Sequence, residues 1–128
     1  MVKAELKPVI LVVEDETSIN EVYQLVLSRA GYEVRAAFDG QEALELLESI
    51  EPDIILLDLR MPKVDGLEFL RKYDLKQHPE VKVVILSNYD AEKDIKEAHK
   101  LGASRYVLKA WSSPKELELL IKKVLQEK

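Results

Sequence analysis

The sequence predicts one α/β domain with a doubly wound parallel β-sheet that is covered by helices on both faces. Three observations support this class of fold. Apolar runs of strand length alternate with segments whose apolar residues recur at helical spacing. This alternation occurs five times, and no linker or low-complexity segment interrupts it. The length of 128 residues is that of one ordinary domain, which we expect to occupy residues 1–128.

The composition argues against several classes of function. Backbone binding to nucleic acid requires a clustered positive surface, so a net charge of −5 argues against nucleic acid as the main partner. The chain has no cysteine, which excludes disulfides, thiol catalysis and cysteine-based metal sites. No apolar run approaches the roughly 20 residues that a membrane span requires, and the first residues lack a signal-peptide core. We therefore expect a cytoplasmic protein without a membrane partner.

Five segments predict the strands of the sheet. Four are apolar runs that end in polar residues: PVILVVEDE, DIILLDLR, VKVVILSN and SRYVLKA. The fifth, GYEVRAA, is second along the chain and alternates apolar with polar or small residues. Because continuous apolar runs are typical of central strands, we expect the first, third and fourth strands inside the sheet and the other two at its edges. The strand order 2-1-3-4-5 of the flavodoxin-like class satisfies this arrangement.

The segments between the strands carry helical patterns. The first and last helices have the longest apolar stripes, and the second helix has a shorter one. The residues of these stripes are Ile19, Val22, Tyr23, Val26 and Leu27; Ala43, Leu44, Leu47 and Ile50; and Leu117, Leu120, Ile121, Val124 and Leu125. The fourth helix, from Ala91 to Leu101, offers only Ile95, Ala98 and Leu101 for burial. Because it has so little to bury, we expect this helix to move at modest cost.

The ends of the helices carry capping residues. Acceptor-x-x-Glu spacing, which is typical of a capping box, predicts three helix starts. The pairs are Asp39 with Glu42, Asp65 with Glu68, and Ser113 with Glu116, the last with Pro114 at the first helical position. Gly31 and Gly102 follow apolar stripes, where a residue in the left-handed conformation ends a helix.

Acidic side chains follow two strands at the carboxyl edge of the predicted sheet. Glu14, Asp15 and Glu16 follow the first strand, and Asp58 ends the third. Ligands of doubly wound sheets bind at this edge where the strand order reverses, here between the first and third strands. Three carboxylates from these neighbouring strands are expected within about 5 Å of one another, and a hard divalent cation such as Mg²⁺ relieves their repulsion.

Two further strand ends complete a set of groups suited to phosphoryl transfer. Ser87 and Asn88 follow the fourth strand, and Lys109 follows the fifth. Phosphoryl transfer requires in-line positioning and positive charge on the equatorial oxygens of the transferred group. A carboxylate can act as the nucleophile and form an acyl phosphate, a role that falls to Asp58. Lys109 and Ser87 then hold the remaining phosphoryl oxygens.

Four motifs carry a resemblance to a known family. They are the acidic group Glu14-Asp15, DLRMPKVDG beginning at Asp58, LSNYD with Ser87, and YVLKA with Tyr106 and Lys109. On these motifs the chain resembles the receiver domain of bacterial two-component response regulators, from about Pro8 to Lys128. The resemblance implies a chemotaxis-regulator-like phosphoacceptor rather than an enzyme, which acts alone or as the input domain of a longer regulator. It also implies a histidine kinase or histidine phosphotransfer protein as phosphodonor, and a downstream protein target.

The resemblance assigns the metal and the phosphoryl chemistry to particular residues. Asp58 accepts the phosphoryl group in a self-catalysed transfer. Slow autodephosphorylation then removes this group from Asp58. Mg²⁺, or Mn²⁺ in its place, is held directly by Asp15, Asp58 and the main-chain carbonyl of Arg60. Glu14 acts on the cation through water, and Lys109 binds the phosphoryl group.

The resemblance also assigns the binding of phosphoryl oxygens and the conformational switch. The main chain of Leu59 and Asn88 binds phosphoryl oxygens. Ser87 is the switch hydroxyl that moves toward the phosphoryl group, and Tyr106 is the aromatic residue that swings inward behind it. Together they remodel the face formed by the fourth helix, the fifth strand and the fifth helix.

The sequence departs from the family pattern at positions close to this site. The family lysine is normally followed by proline in a cis peptide, but Ala110 follows Lys109 here. Because a cis bond before a residue other than proline costs about 3–4 kcal/mol, we expect a trans bond. Asn88 stands where the family has a very small residue. Arg60 and Tyr89 are bulky residues that can screen the acyl phosphate from water, which predicts a long-lived phosphoform.

Three alternative functions are open at this point. A degenerate receiver that binds partners without phosphorylation is compatible with Ala110 and Asn88. A phosphohydrolase of the haloacid-dehalogenase kind needs a second Asp two residues after the nucleophile, where this chain has Arg60. A flavodoxin-type protein needs a phosphate-binding loop after the first strand, where residues 14–16 are acidic. His78 and His99 are predicted to be surface residues.

Overall fold

The computed structural model describes residues 7–59, 61, 64–87, 92–108 and 113–127. These residues form five strands, five α-helices and one short 3₁₀ helix. The strands are β1 (Val9–Val13), β2 (Glu33–Ala37), β3 (Ile54–Asp58), β4 (Lys82–Ser87) and β5 (Arg105–Leu108). The helices are α1 (Thr17–Arg29), α2 (Gly40–Leu46), α3 (Gly66–Lys72), α4 (Glu92–Lys100) and α5 (Pro114–Gln126), and the 3₁₀ helix spans Leu75–Gln77. In this part of the chain, none of the helices is apolar over the length that a bilayer crossing needs.

The strands form one parallel sheet in the order β2-β1-β3-β4-β5, which confirms the predicted order and the predicted edge strands. Val13 of β1 lies opposite Leu57 of β3, and Asp58 of β3 lies opposite Leu86 of β4. Glu14 and Asp58 therefore follow paired residues and reach the same edge of the sheet.

Alternate residues of the central strands face two apolar cores, one on each side of the sheet. On one side the strands pack with Ala43 of α2, Phe69 of α3 and Ala98 of α4. On the other side they pack with Leu27 of α1 and Ile121 of α5. The continuous apolar runs predicted from the sequence are thus explained by burial on both faces.

The predicted helix caps are present. Ser113 accepts a hydrogen bond from the Glu116 amide, the Glu116 carboxylate accepts one from the Ser113 amide, and Pro114 begins α5. The helices α2 and α3 begin after the acidic caps Asp39 and Asp65. The carboxylate of each cap accepts a hydrogen bond from the main-chain amide of the third residue after it. Gly31 and Gly102 have φ angles of 102° and 108°, in the left-handed region where a side chain is strained.

Two predicted apolar stripes differ from the structure in detail. Val22 was expected in the buried stripe of α1 but is 46% exposed, because α1 turns Asn20 and Leu27 toward the sheet instead. The helix α2 ends at Leu46, so Ile50 lies beyond it rather than on its apolar face. Tertiary packing therefore sets the rotation of α1 and the length of α2 more tightly than the periodicity of the sequence does.

His78, which was predicted to be a surface residue, is partly exposed and also makes two tertiary contacts. Its ring stacks on the buried ring of Tyr73, with the ring centroids 4.3 Å apart. Its Nδ1 atom lies 3.0 Å from a carboxylate oxygen of Glu51. His99, by contrast, is exposed on α4 as predicted.

Candidate functional site

Three carboxylates meet at the carboxyl edge of the sheet, where β1 and β3 end. One oxygen atom from each of Glu14, Asp15 and Asp58 lies within 4.8 Å of the others. Glu14 is 2% exposed and Asp58 is 6% exposed, whereas Asp15 is half-buried. The predicted convergence of the three side chains is confirmed. We refer to these three residues as the acid cluster.

Packing of the two strands determines where the acidic residues emerge. All five residues of β3 are buried, including Asp58. The pairing of Ile54 with Ile10 brings β3 into register with β1 along its whole length. A shift of either strand would expose apolar residues at one end and force a carboxylate deeper among apolar groups at the other. The same contacts that stabilise the core therefore deliver the acid cluster to the edge.

Hydrogen bonds order the loop between β1 and α1. The amide of Glu16 donates to a carboxylate oxygen of Glu14 at 3.1 Å, while the Glu16 side chain is exposed and outside the cluster. The amide of Glu14 donates to the carbonyl of Ala37 at the end of β2, at 3.2 Å. The buried side chain of Asn20 bonds to the same loop. Asn20 was not among the predicted site residues, although its spacing of two helical turns from Leu27 places both on one line of α1.

A glycine allows α3 to approach Asp58 closely. The amide of Gly66 donates to the carbonyl of Leu59 at 3.0 Å. A Cβ atom at Gly66 would lie 2.6 Å from Leu59 Cα and 2.8 Å from the main-chain oxygen of Asp58. Because no side chain fits this space, Gly66 is required for the contact between the start of α3 and the end of β3.

The donor set of the acid cluster suits a hard divalent cation. Mg²⁺ takes oxygen ligands and keeps several waters, so one or two carboxylates that bind it directly are sufficient. Two of the three carboxylates are buried, where their mutual repulsion is screened less than at an exposed surface. Glu14, Asp15 and Asp58 therefore fit Mg²⁺, and the same oxygen ligands also suit Mn²⁺.

The predicted switch residues lie on the strands beside the cluster. Ser87 ends β4, one residue after the partner of Asp58. Tyr106 lies on the edge strand β5 opposite Ile85, and its half-buried side chain packs against the core. A cavity of about 350 Å³ adjoins Tyr106 between α4 and β5, with Ile95 and Ala98 among its lining residues.

Several predictions concern positions outside the described residues. These positions are Arg60, Asn88, Tyr89, Lys109 and Ala110. The metal-binding carbonyl of Arg60, the phosphoryl contacts of Asn88 and Lys109, and the trans bond before Ala110 therefore stay predictions. Leu59 lies within the described part, directly after Asp58, and is buried.

The fold and the acid cluster together define the class of this protein: an α/β domain with a candidate cation site at its switch point. The chain belongs to the response regulator receiver domain family, whose model matches residues 10–122. It is therefore a receiver domain of two-component response regulators, and the phosphorylation-independent alternative is not favoured. Receiver domains are signalling phosphoacceptors that interact with histidine kinases and bind Mg²⁺ at an acidic pocket, and they are generally not classical enzymes.

Similar proteins of known structure share the whole fold. A CheY-like receiver domain protein from Methanospirillum hungatei JF-1 is 29% identical, with a TM-score of 0.88 and coverage of 94% of each chain. The chemotaxis protein CheY4 of Vibrio cholerae is 28% identical, with a TM-score of 0.85, and the match covers 93% of this chain and 99% of CheY4. The flavodoxin-like fold is confirmed by these similarities.

The curated relatives are longer proteins. The probable transcriptional regulator ycf27 of Porphyridium aerugineum is 38% identical over 120 residues, which are 94% of this chain and 49% of the relative. The alkaline phosphatase synthesis transcriptional regulatory protein PhoP of Bacillus subtilis is 39% identical over 117 residues, which are 91% of this chain and 48% of the relative. The chain thus spans about half the length of the curated relatives it matches.

Proposed function

We propose that Asp58 is the phosphoacceptor of this receiver and that the acid cluster binds one Mg²⁺ ion beside it. The observation that carries this proposal is the meeting of Glu14, Asp15 and Asp58 within 4.8 Å at the switch point of the sheet. An aliphatic strand has no structural need for a buried carboxylate at its end, because burial of a charge is costly. The proposed roles of Asp58 as a nucleophile and as a cation ligand account for this buried carboxylate.

The phosphoryl transfer is an in-line displacement at phosphorus. A carboxylate oxygen of Asp58 attacks the phosphorus atom of a phosphohistidine, the P–N bond breaks, and its electron pair stays on the imidazole. Bound Mg²⁺ supplies positive charge that offsets the anionic oxygens of the reacting groups. Asp15, Asp58 and the main-chain carbonyl of Arg60 would hold the cation directly, and Glu14 would act on it through water.

Four further groups bind the transferred oxygens in this proposal. The Lys109 ammonium and the Ser87 hydroxyl donate to them, and the main-chain amides of Leu59 and Asn88 complete the set. Slow autodephosphorylation follows when water reaches the acyl phosphate. The bulky Arg60 side chain, with Tyr89, restricts that access.

Acetyl phosphate with Mg²⁺ and intact-mass spectrometry test this assignment. We expect one phosphoryl group on the wild type, none on Asp58→Asn, and one on Asp53→Asn, which alters an acid next to the opposite end of the same strand. A phosphoryl group on Asp58→Asn, or none on the wild type, would contradict the proposed function.

We further propose that phosphorylation is read at the face formed by α4, β5 and α5, through Ser87 and Tyr106. Two features support this: Ala98 is the one buried residue of α4, and the cavity of about 350 Å³ leaves room beside Tyr106. Amide hydrogen exchange is expected to change in α4 on phosphorylation and to stay constant in α1. Equal changes in both helices, or none in α4, would contradict this switch.

We propose a histidine kinase or histidine phosphotransfer protein as the donor, with a protein as the downstream target. In this proposal residues 1–128 act as one receiver unit. Transfer from candidate phosphorylated kinases to the wild type, compared with Asp58→Asn, identifies the donor. A donor that phosphorylates both proteins equally is not the cognate one.

A further inference from the structure

Asn20 is a buried polar residue that neither the family motifs nor the proposed chemistry uses. Among the described residues three polar or charged side chains are buried, and two of them, Glu14 and Asp58, belong to the acid cluster. The third is Asn20, on the second turn of α1, with 0% exposure. A fully buried carboxamide requires hydrogen-bond partners, so its contacts indicate its role.

Every part of the Asn20 carboxamide is engaged. Its Nδ2 atom donates to the carbonyl of Glu14 at 3.0 Å and to the carbonyl of Ala37 at 3.1 Å. Its Oδ1 atom accepts from Nε2 of Gln24 at 2.7 Å. The side chain therefore joins the ends of β1 and β2 to α1.

The main chain of Asn20 holds the opposite side of the same loop. Its amide donates to the carbonyl of Glu16 at 2.9 Å, while its side chain holds the carbonyl of Glu14. Asp15 lies between these two carbonyls. One residue thus fixes the carbonyl directly before the acid that we propose as a direct ligand of the cation, and the carbonyl of the residue after that acid.

This constraint acts against the repulsion within the cluster. Before a cation binds, Glu14, Asp15 and Asp58 repel one another, and the loop of Asp15 is the least buried part of the cluster. The bond from Asn20 to Ala37 anchors the loop to β2, on the side away from Asp58. The loop is therefore held in place without a contribution from the cation.

We propose that Asn20 is a positioning residue for the cation site, which keeps Asp15 in the geometry that binds a divalent ion. The inference rests on the proposed function, because it concerns the same site. Groups that orient metal ligands typically contribute 10–100-fold to metal affinity, so we expect Asn20→Ala to weaken Mn²⁺ binding by about 10–100-fold.

Mn²⁺ binding measured by electron paramagnetic resonance tests this inference, with two matched controls on α1. Leu27→Ala removes a buried side chain about two turns away, so it lowers the free energy of unfolding without touching the loop. Gln24→Ala removes the bond to Oδ1 and leaves both Nδ2 bonds in place. We expect both controls to bind Mn²⁺ within about threefold of the wild type, well below the effect assigned to Asn20.

A second readout separates positioning from general stability. Exchange of the Glu16 amide, which donates to Glu14, should accelerate in Asn20→Ala more than in Leu27→Ala. If Asn20→Ala does not fold, Asn20→Ser takes its place, because a hydroxyl can donate to only one of the two carbonyls.

The outcomes distinguish this inference from the proposed function. A wild type that binds neither Mg²⁺ nor Mn²⁺ overturns both. A wild type that binds, with Asn20 variants of unchanged affinity or with Leu27→Ala weakened as much as Asn20→Ala, overturns this inference alone. Loss of affinity confined to the Asn20 variants supports it.

Discussion

At the carboxyl edge of the sheet, β1 and β3 lead into carboxylates that face one another, whereas at the amino edge an acid bonds the same two strands together. Asp53 precedes β3, and its carboxylate accepts from the amide of Val9 at 2.7 Å, while the carbonyl of Val9 accepts from the amide of Asp53 at 2.8 Å. The carbonyl of Asp53 also accepts from Lys82 at the start of β4. Asp53, which directly precedes β3, is therefore hydrogen-bonded to both β1 and β4.

The amino edge has a second closing contact between its loops. The ring of Tyr73 stacks between the rings of Phe69 and His78. The imidazole of His78 also contacts the carboxylate of Glu51, in the loop before β3. An acid at the amino edge thus bonds strands together, whereas we propose that the acids at the carboxyl edge are held together for a ligand.

Glycines near the two edges should differ in their tolerance of a methyl group. Gly66→Ala forces a Cβ atom against the main chain of Asp58 and Leu59, so we expect a loss of about 3 kcal/mol in the free energy of unfolding. Gly31 lies before β2 with open space around its Cα, so Gly31→Ala costs only the left-handed backbone strain, about 1–2 kcal/mol. Urea unfolding measures both variants. Equal losses would mean that the carboxyl edge is not tightly packed.

Alkaline pH should weaken the amino edge through Tyr73. Burial, followed by the negative charge of Glu51, raises the pKa of Tyr73 from 10.0 to about 12. Between these values the unfolded chain releases the phenolic proton and the native chain retains it, so stability present below pH 10 is lost as the pH rises toward 12. The expected slope is about −1.4 kcal/mol per pH unit.

Tyr73→Phe is the matched control for this pH dependence. It keeps the ring that stacks between Phe69 and His78 and removes a buried hydroxyl that has no hydrogen-bond partner within the described residues. We expect the variant to be at least as stable as the wild type at pH 7, because an unsatisfied buried hydroxyl is costly. If the wild type and Tyr73→Phe show the same alkaline slope, Tyr73 is not its source.

Neutralisation of one acid at each edge should change stability in opposite directions. Without a divalent cation, Asp58→Asn relieves repulsion and should raise the free energy of unfolding by about 1 kcal/mol. Asp53→Asn weakens the bond to the Val9 amide and should lower it by about 1 kcal/mol. Chemical denaturation in the presence of a chelator measures both. Changes of the same sign would contradict the contrast between the edges.

The smallest effect belongs to the partly exposed pair of His78 and Glu51. Their side chains are 32% and 57% exposed, so solvent screens the interaction. We expect Glu51→Gln to lower the free energy of unfolding by less than about 0.5 kcal/mol at low salt, and by less at high salt. A salt-independent loss larger than this would show that the contact contributes by packing rather than by charge.

The sequence alone was sufficient for the sheet and for the acid cluster, because both depend on local patterns. Continuous apolar runs identified the central strands, and capping boxes such as Ser113 with Glu116 marked the helix starts. The acid cluster followed because the carboxyl ends of parallel strands meet at one edge of the sheet. The metal-binding role of the Arg60 carbonyl, however, came from the family resemblance rather than from any pattern in the residues.

Features that depend on contacts between distant segments were not predictable. The burial of Asn20 and the exposure of Val22 depend on how α1 rotates against the sheet, which periodicity fixes only coarsely. The stack of Tyr73 and His78 depends on the fold of the loop that joins them. The need for glycine at position 66 appears only when α3 is packed against Leu59.

We propose that the carboxyl edge holds its acids together for a divalent cation, and the dependence of the free energy of unfolding on Mg²⁺ is a direct test of this claim. A ligand that binds only the native state stabilises it by about 2.7 kcal/mol at one hundred times its Kd. We predict that added Mg²⁺ raises the free energy of unfolding of the wild type and leaves Asp15→Asn and Asp58→Asn nearly unchanged. A wild type whose unfolding is independent of Mg²⁺, or variants that respond as strongly as the wild type, would contradict the claim.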